Sequence, residues 1–403
     1  MKEERIREVL EHYQTPMYVF DTGTLKKRVT YLKDSLPAEV SLCYAVKANT
    51  FIMKELEDVL DRFEVCSPGE LSICRELGMP MEKIIFSGVY KTPSVIKELM
   101  KENVPIGIYS VESMVQYRLL KETAMETGRV INIMPRLTSG NQFGMTEDEV
   151  KTVISEANET EYMNIAGIQF FSGTQKTSMK KQRRELEYVK GFLQTLKDEM
   201  DFEPEELEFG PGFPVSYFEG EVFDEDAYLK EFSELLREMD FKAKIIFELG
   251  RSIAASCGTY LTSVVDMKTN KGQNYAIVDG GINQLVYYGQ SMAMKHPICS
   301  IYQGQNIANE NDGNITNWNI CGSLCTVNDI IVKQLPIESL KLGDVIAFEN
   351  TGAYCMTEGI SLFLSRDLPT VVIIDEENIN KNKKHQAIRE LTPTYPLNKP
   401  EYK

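Results

Sequence analysis

The run SLCYAVK, ending at Lys47, reads as a short apolar strand closed by an amine. Strand alternation puts Cys43, Ala45 and Lys47 on one face, so the ammonium group would stand beside small side chains. A lone strand-terminal lysine also fits a side chain that snorkels to water. A desolvated lysine instead has a lowered pKa and can form a Schiff base with an aldehyde. Three other run ends carry unusual residues: Phe171-Ser172-Gly173-Thr174-Gln175, Phe209-Gly210-Pro211-Gly212-Phe213-Pro214 and Glu248-Leu249-Gly250-Arg251. Glycines let backbone N–H groups approach an anion closely, and a neighbouring hydroxyl or guanidinium adds to that. Each segment alone fits a plain turn, a cap or an ion pair. Together the three ends make a phosphate cradle.

These residues need a frame that brings strand ends together. Apolar runs end near Lys47, Ser67, Ser87, Ser110, Arg136, Phe171, Gly210 and Leu249, with amphipathic stretches such as GELSICRELG, TPSVIKELMKEN and MKKQRRELEYVKGFLQTLKDEM between them. FIMKELEDVLDRF reads as helical in the same way. Eight β-then-α units over residues 24–258 have the count and length of an α/β (β/α)8 TIM barrel, whose working residues sit at the carboxyl ends of its strands. After Gly258 short β-type runs follow (TYLTSVVDM, NYAIVDGG, NITNWNICG, DIIVKQL, GDVIAF, TVVIID) and predict a second, mainly antiparallel β domain. That domain is expected to comprise 1–23, through the strand-like TPMYVFD, together with 259–380. Residues 381–403 are expected as a loosely held tail.

Composition narrows the function classes. Sixty acidic against 44 basic residues leave a net charge of −16, which repels polyanions and argues against nucleic acid and anionic membrane as main partners. No stretch approaches the roughly 20 apolar residues of a membrane span. The start, MKEERIREVL, is charged where a signal peptide is apolar, so a cytoplasmic location is expected. Eight cysteines in apolar surroundings predict reduced thiols. His12, His296 and His385 are the three histidines and none stands at ligand spacing, so no metal site is expected.

YAVKAN, EVCSPGEL, FSGTQ, GPGFPV, ELGR, SLCTVND and GAY, in that order from about Met17 to about Pro369, resemble the fold-type III pyridoxal-phosphate decarboxylases, of which diaminopimelate and ornithine decarboxylases are familiar members. The resemblance implies the two-domain architecture shared with alanine racemase and pyridoxal 5′-phosphate as cofactor. Lys47 would carry the cofactor as a Schiff base, and Glu248 would hydrogen-bond its pyridine nitrogen. Gly173, Thr174, Gly210, Gly212, Gly250, Arg251 and Tyr354 would bind it, chiefly at the phosphate. Cys325 would enter the site of a neighbouring subunit and return a proton, which implies a homodimer with shared sites. Arg136, Thr326, Tyr287 and Tyr288 are grouped as substrate-binding.

The sequence departs from the family pattern in four places. Phe171 stands where the family stacks a histidine on the cofactor ring, and Leu249 turns EPGR into ELGR. Thr326 replaces the acid that grips a distal ammonium. INQLVYYGQ, after Asp279-Gly280-Gly281, lacks the arginine that diaminopimelate decarboxylases use for the distal carboxylate. A neutral hydroxyl does not balance a buried cation, whose desolvation costs several kcal/mol. The implied substrate is therefore an L-amino acid conjugated through its side chain, such as a glutamyl thioester on an acyl carrier protein, in place of free diaminopimelate or ornithine. Three alternatives stay open at this point: diaminopimelate decarboxylase proper, an amino-acid racemase (against which Glu248 argues) and a non-catalytic regulatory homologue.

Overall fold

Eight short apolar segments pair in parallel and close on themselves. They are Ser41–Ala45, Arg62–Val65, Ile84–Phe86, Ile108–Val111, Ile131–Leu137, Gly167–Phe171, Glu206–Gly210 and Lys244–Leu249, referred to below as the first to eighth barrel strands. The ring closes where the first strand pairs with both the second and the eighth. The computed structural model describes residues 3–303, 315–375 and 385–400. Cys43, Ile85, Ile108, Met134 and Ile246 form a buried apolar layer within this sheet, so the barrel is packed and not a pore. A further short strand, Met163–Ile165, pairs beside the fifth.

Local signals explain the helices that return the chain. Ser67 caps Pro68–Glu76, with Pro68 in the first turn, and Thr146 forms a reciprocal capping box with Glu149 at the start of Glu147–Asn158. In Met179–Met200 the residues Leu186, Val189, Phe192 and Leu196 recur every three or four positions and are buried as one stripe. The helix expected over FIMKELEDVLDRF is shorter than its pattern. Only the turns Thr50–Ile52 and Met53–Leu56 form, because Val59 and Leu60 both donate back to Leu56 and the carbonyls of Glu57 and Leu60 are taken by Lys83.

The chain divides into two compact units. One comprises Arg28–Val215 and Asp224–Ile253 and holds the barrel; the other comprises Met1–Lys27, Ser216–Phe223 and Ala254–Lys403. In the second unit the early strand Met17–Asp21 is central. It pairs antiparallel with Gly258–Asn270 and parallel with Thr370–Ile374, and all five of its residues are buried. Gln273–Val278, Ile315–Cys321 and Ile330–Glu338 extend the sheet on one side. Val345–Phe348 pairs antiparallel with Gly258–Asn270, and Cys299–Tyr302 pairs antiparallel with Val345–Phe348. Ile6 and Val9 of helix Glu3–His12 pack with Met17, Val19, Leu261, Val372 and Ile374. The expected tail is corrected in part: His385–Arg389 is an edge strand on Thr370–Ile374, with Ala387 against the core and its N–H donated to the Tyr13 hydroxyl. Pairing with a preformed sheet edge supplies the hydrogen bonds that this polar segment could not supply alone. Residues 381–384 and 401–403 of that tail lie outside the described residues.

Candidate active site

The first barrel strand ends at Ala45, and Lys47 follows in the single turn Val46–Ala48, which Tyr44 braces by donating its hydroxyl to the Asn49 carbonyl at 3.0 Å. The pairing register sets Ala45 opposite Glu64 on one side and Cys43 opposite Glu248 on the other. Lys47 Nζ accordingly lies 2.6 Å from Glu64 Oε2, 3.2 Å from Glu248 Oε1 and 3.6 Å from Cys66 Sγ. The two carboxyl side chains are 3% and 5% exposed, against 38% for the lysine. The expectation of an amine desolvated among small side chains is thereby corrected: two buried acids hold it at the mouth of the barrel. Glu64 was not anticipated from the sequence, although a charge inside the apolar run RFEVC, on the same face as Cys66, was the available signal.

The two acids respond oppositely to this shared site. Burial works to raise both. In Glu64 the adjacent Lys47 charge, a hydrogen bond from Glu248 and the Arg136 charge outweigh burial and bring the carboxyl down to about 2. In Glu248 burial and the Glu64 charge prevail over Lys47 and push it up to about 7. Beneath them Glu208 is sealed, accepts from Gln169 Nε2 at 3.2 Å and is pushed well up by burial and by the charges of Glu248 and Glu64. The barrel mouth therefore sets two carboxyls around one amine and drives them in opposite directions, Glu64 toward the ionised form and Glu248 toward the protonated one.

The glycine turns have steric reasons. A Cβ on Gly210 would stand 2.0 Å from the Phe171 ring, and one on Gly212, at φ 60°, would stand 2.2 Å from the Gly173 carbonyl oxygen. The turn after the sixth strand and the turn after the seventh can touch because these side chains are absent. Arg251, buried at the end of the eighth strand, donates from Nε to Thr174 Oγ1 at 3.4 Å. Gly250 offers its carbonyl to Ile253 N–H. The buried Ser172 Oγ has no partner among the described residues. Arg136 pairs with Glu112 at 3.1 Å and stands 5.8 Å from the Phe171 ring centroid; Glu112 too was unforeseen.

Cys325, Thr326, Tyr287, Tyr288 and Tyr354 belong to the β unit. Cys325 is exposed on the loop that joins two sheet strands. Thr326 Oγ1 accepts the Asn328 N–H. The loop is anchored by a residue the sequence reading passed over. Asp329, 2% exposed, accepts the N–H groups of Leu324 at 2.7 Å and Ile282 at 2.9 Å. Tyr354 adopts a left-handed backbone conformation, φ 66°, and its carbonyl accepts from Thr357 and Glu358. The substrate-binding assignment of Tyr287 is corrected: its ring packs against Tyr217 and Phe218, and its hydroxyl donates to the Glu349 carbonyl at 2.6 Å. A buried hydroxyl needs such a partner, and this one is committed inside the sheet domain. Tyr288, next in the chain, is exposed.

The barrel residues fit pyridoxal phosphate. They offer an amine for its aldehyde, an acid that can hold or release a proton beside a ring nitrogen, a flat ring, and glycine turns whose open space a Cβ would fill. Among the described residues no cluster of three or more His, Cys, Asp or Glu side chains could hold a metal ion, and no helix is long and apolar enough to cross a membrane.

Comparison with known proteins agrees with this chemistry. The pyridoxal-dependent decarboxylase family, in its pyridoxal binding domain, matches residues 22–255. A diaminopimelate decarboxylase of Aquifex aeolicus is 26% identical over 370 residues, covering 87% of this chain and 84% of its own. The L-glutamyl-[BtrI acyl-carrier protein] decarboxylase of Niallia circulans is 26% identical over 412 residues, covering 95% and 93%. The fold is shared with the crystal structure of diaminopimelate decarboxylase from Helicobacter pylori complexed with L-lysine, at a TM-score of 0.83 and 23% identity, covering 97% of this chain and 98% of that one. With more than half of its length matched by the family, and a lysine set between two buried acids at a barrel mouth, this chain belongs to the pyridoxal-dependent decarboxylases.

Proposed function

We propose that this decarboxylase removes the α-carboxylate of an L-amino acid whose side chain is conjugated through an ester, amide or thioester, a glutamyl thioester on a carrier protein being the model case. Thr326 carries this reading. It brings a neutral hydroxyl, already accepting the Asn328 N–H, to the position where the family uses an acid. A diamine substrate would leave its distal ammonium without a counter-charge, at a desolvation cost of several kcal/mol. The segment Ile282–Gln290 brings no arginine for a distal carboxylate. The Niallia circulans relative, named for a carrier-linked glutamyl substrate, supports the same reading.

Bound pyridoxal phosphate supplies the electron sink for the bond that breaks at the α-carbon. The chain's residues orient and charge the site. Lys47 provides the amine for covalent attachment. Glu64, ionised and 2.6 Å away, favours positive charge on that nitrogen. Glu248, pushed up to about 7, would be the group to face the pyridine nitrogen, where passing its proton to the ring would leave a carboxylate that favours the cationic nitrogen. Phe171 would give the ring a flat apolar face, and Gly173, Thr174, Gly210, Gly212, Gly250 and Arg251 would take the phosphate end. Arg136, fixed by Glu112, would face the substrate. Cys325 of a second copy donates the proton that replaces CO₂, which makes the working form a homodimer.

A second reading, diaminopimelate decarboxylase proper, is favoured by the Aquifex aeolicus relative. CO₂ release separates the two when measured on free diaminopimelate, ornithine and lysine beside glutamyl and related amino acids loaded on pantetheine or a carrier protein. Conjugates are expected to turn over roughly 100-fold or more faster in kcat/KM, since unpaired buried charge is penalised by several kcal/mol. Efficient conversion of free diaminopimelate would overturn the conjugate reading in favour of the second.

A further inference from the structure

Both turns of the glycine cradle are tied to one buried lysine that the reaction does not consume. Lys176 directly follows Phe171-Ser172-Gly173-Thr174-Gln175 and its side chain is 1% exposed. Its Nζ donates to Glu185 Oε2 at 2.8 Å and to the Gly210 carbonyl at 3.0 Å, and its backbone N–H donates to the Gly212 carbonyl at 2.9 Å. The carbonyl between these, of Pro211, accepts from Gln182 Nε2 at 2.7 Å. The same amide nitrogen donates to the Tyr228 hydroxyl, which in turn donates to the Lys176 carbonyl at 2.7 Å. Three successive carbonyls of the turn after the seventh strand are thus each held, by Lys176 or Gln182.

The consequence follows from peptide planarity. In a trans peptide the N–H points opposite to the carbonyl of the same unit. Fixing the Pro211 carbonyl turns the Gly212 N–H the other way, and fixing the Gly212 carbonyl does the same for the Phe213 N–H. Successive N–H groups oriented to one side form an anion-binding concavity. Space is tight enough for the geometry to be specific: a Cβ on Gly212 would come within 3.1 Å of Lys176 Cε.

We propose that Lys176 is the positioning residue of the phosphate cradle, locking the Gly210–Gly212 turn so that its N–H groups meet a phosphate monoester, and thereby setting the preference for phosphorylated over dephosphorylated pyridoxal. The inference rests on the reading above that these turns take the cofactor's phosphate. Glu185 balances the charge of Lys176 inside the protein, so the lysine acts through the backbone and not as a direct ligand.

The test uses full-length apoprotein and two aldehydes, pyridoxal 5′-phosphate and pyridoxal, with binding followed by Schiff-base absorbance. Lys176→Met leaves buried Glu185 without its nearer cation, the Lys181 ammonium being 3.9 Å away, so the double variant Lys176→Met/Glu185→Gln is measured beside it, with thermal unfolding as the check on folding. The double variant is expected to lose roughly 10- to 100-fold in affinity for the phosphorylated aldehyde, the range for charged hydrogen bonds. Its affinity for pyridoxal is expected to stay within about twofold of wild type, since that aldehyde makes no use of the cradle. Inorganic phosphate should compete less well in the variant. An unchanged ratio between the two aldehydes, or an equal loss for both, overturns the proposal. A wild type that binds both aldehydes alike overturns the cradle reading beneath it, while a wild type with no Schiff base overturns the role of Lys47.

Discussion

Glu64 and Glu248 contact the same nitrogen, at 2.6 and 3.2 Å from Lys47 Nζ, and the shared site pulls the first carboxyl down to about 2 and pushes the second up to about 7. The asymmetry arises because two buried carboxyls beside one ammonium cannot both ionise cheaply. Glu64, with the shorter contact, takes the charge. Glu248 is left to titrate close to neutrality, where it can share a proton with a pyridine nitrogen.

This division gives the cofactor-free protein a pH signature. Glu248, raised from 4.5 to about 7, binds more protons folded than unfolded between those values, so its contribution to stability falls as pH rises from about 4.5 through 7. Glu64, lowered to about 2, contributes stability that is present above about 4.5 and lost as pH falls toward 2. Each unit of displacement corresponds to about 1.4 kcal/mol. Urea unfolding of apoprotein across pH 5 to 8, roughly the window those displacements define, should show wild type losing stability relative to Glu248→Gln as pH rises. Parallel curves would remove the protonated assignment of Glu248.

In the loaded enzyme Glu248→Gln should separate turnover from binding. The amide fills the same space but cannot carry the proton, so kcat is expected to fall by roughly 100-fold or more while cofactor affinity changes only a few-fold. Equal losses in both would reduce Glu248 to a cofactor-holding residue.

The proposed contribution of Cys325 to the site of a second copy can be tested by complementation. Lys47→Ala and Cys325→Ala should each be nearly inactive, the cysteine variant by roughly 10²- to 10⁴-fold as for a lost general acid. Mixed after unfolding and reassembly, the two should recover about one quarter of wild-type activity, since half of a random two-fold population is mixed and half of its sites are intact. No recovery from the mixture, with both homodimers folded, argues for sites built within one chain.

Asp329→Ala tests the anchor of the Cys325 loop. Gly281 and Gly322 leave the space its carboxylate occupies, since a Cβ on either would come within 2.7 or 2.3 Å of it. Removing the carboxylate strands the buried N–H of Leu324, at about 1–3 kcal/mol, and the part-buried N–H of Ile282 at less. A lower unfolding midpoint and faster thiol labelling of Cys325 are expected. Wild-type values for both would show that the loop is held by other contacts.

Much of the barrel was legible because its signals are local. Each apolar run ends where the chain turns, and alternation within a run tells which residues share a face, so Lys47, Glu248 and the glycine turns were found from order and spacing. The early strand Met17–Asp21 was legible in the same way, as a buried run preceding the first barrel helix.

The partners of those residues were not legible. Glu64 reaches Lys47 from 17 residues away and Glu248 from 201, and only ring closure makes them neighbours. Lys176 and Asp329 read as ordinary charges until the fold shows which carbonyls and N–H groups they hold. Tyr287 looked available until its hydroxyl was found inside the sheet domain, and His385–Arg389 looked like tail until a sheet edge received it. The sequence by itself determined which groups can react and which way each strand presents them, because those depend on residue type and a two-residue period. The tertiary structure decided which charges are paired and which are protonated, because electrostatic and hydrogen-bond energies depend on distances between strands that the order of residues does not encode.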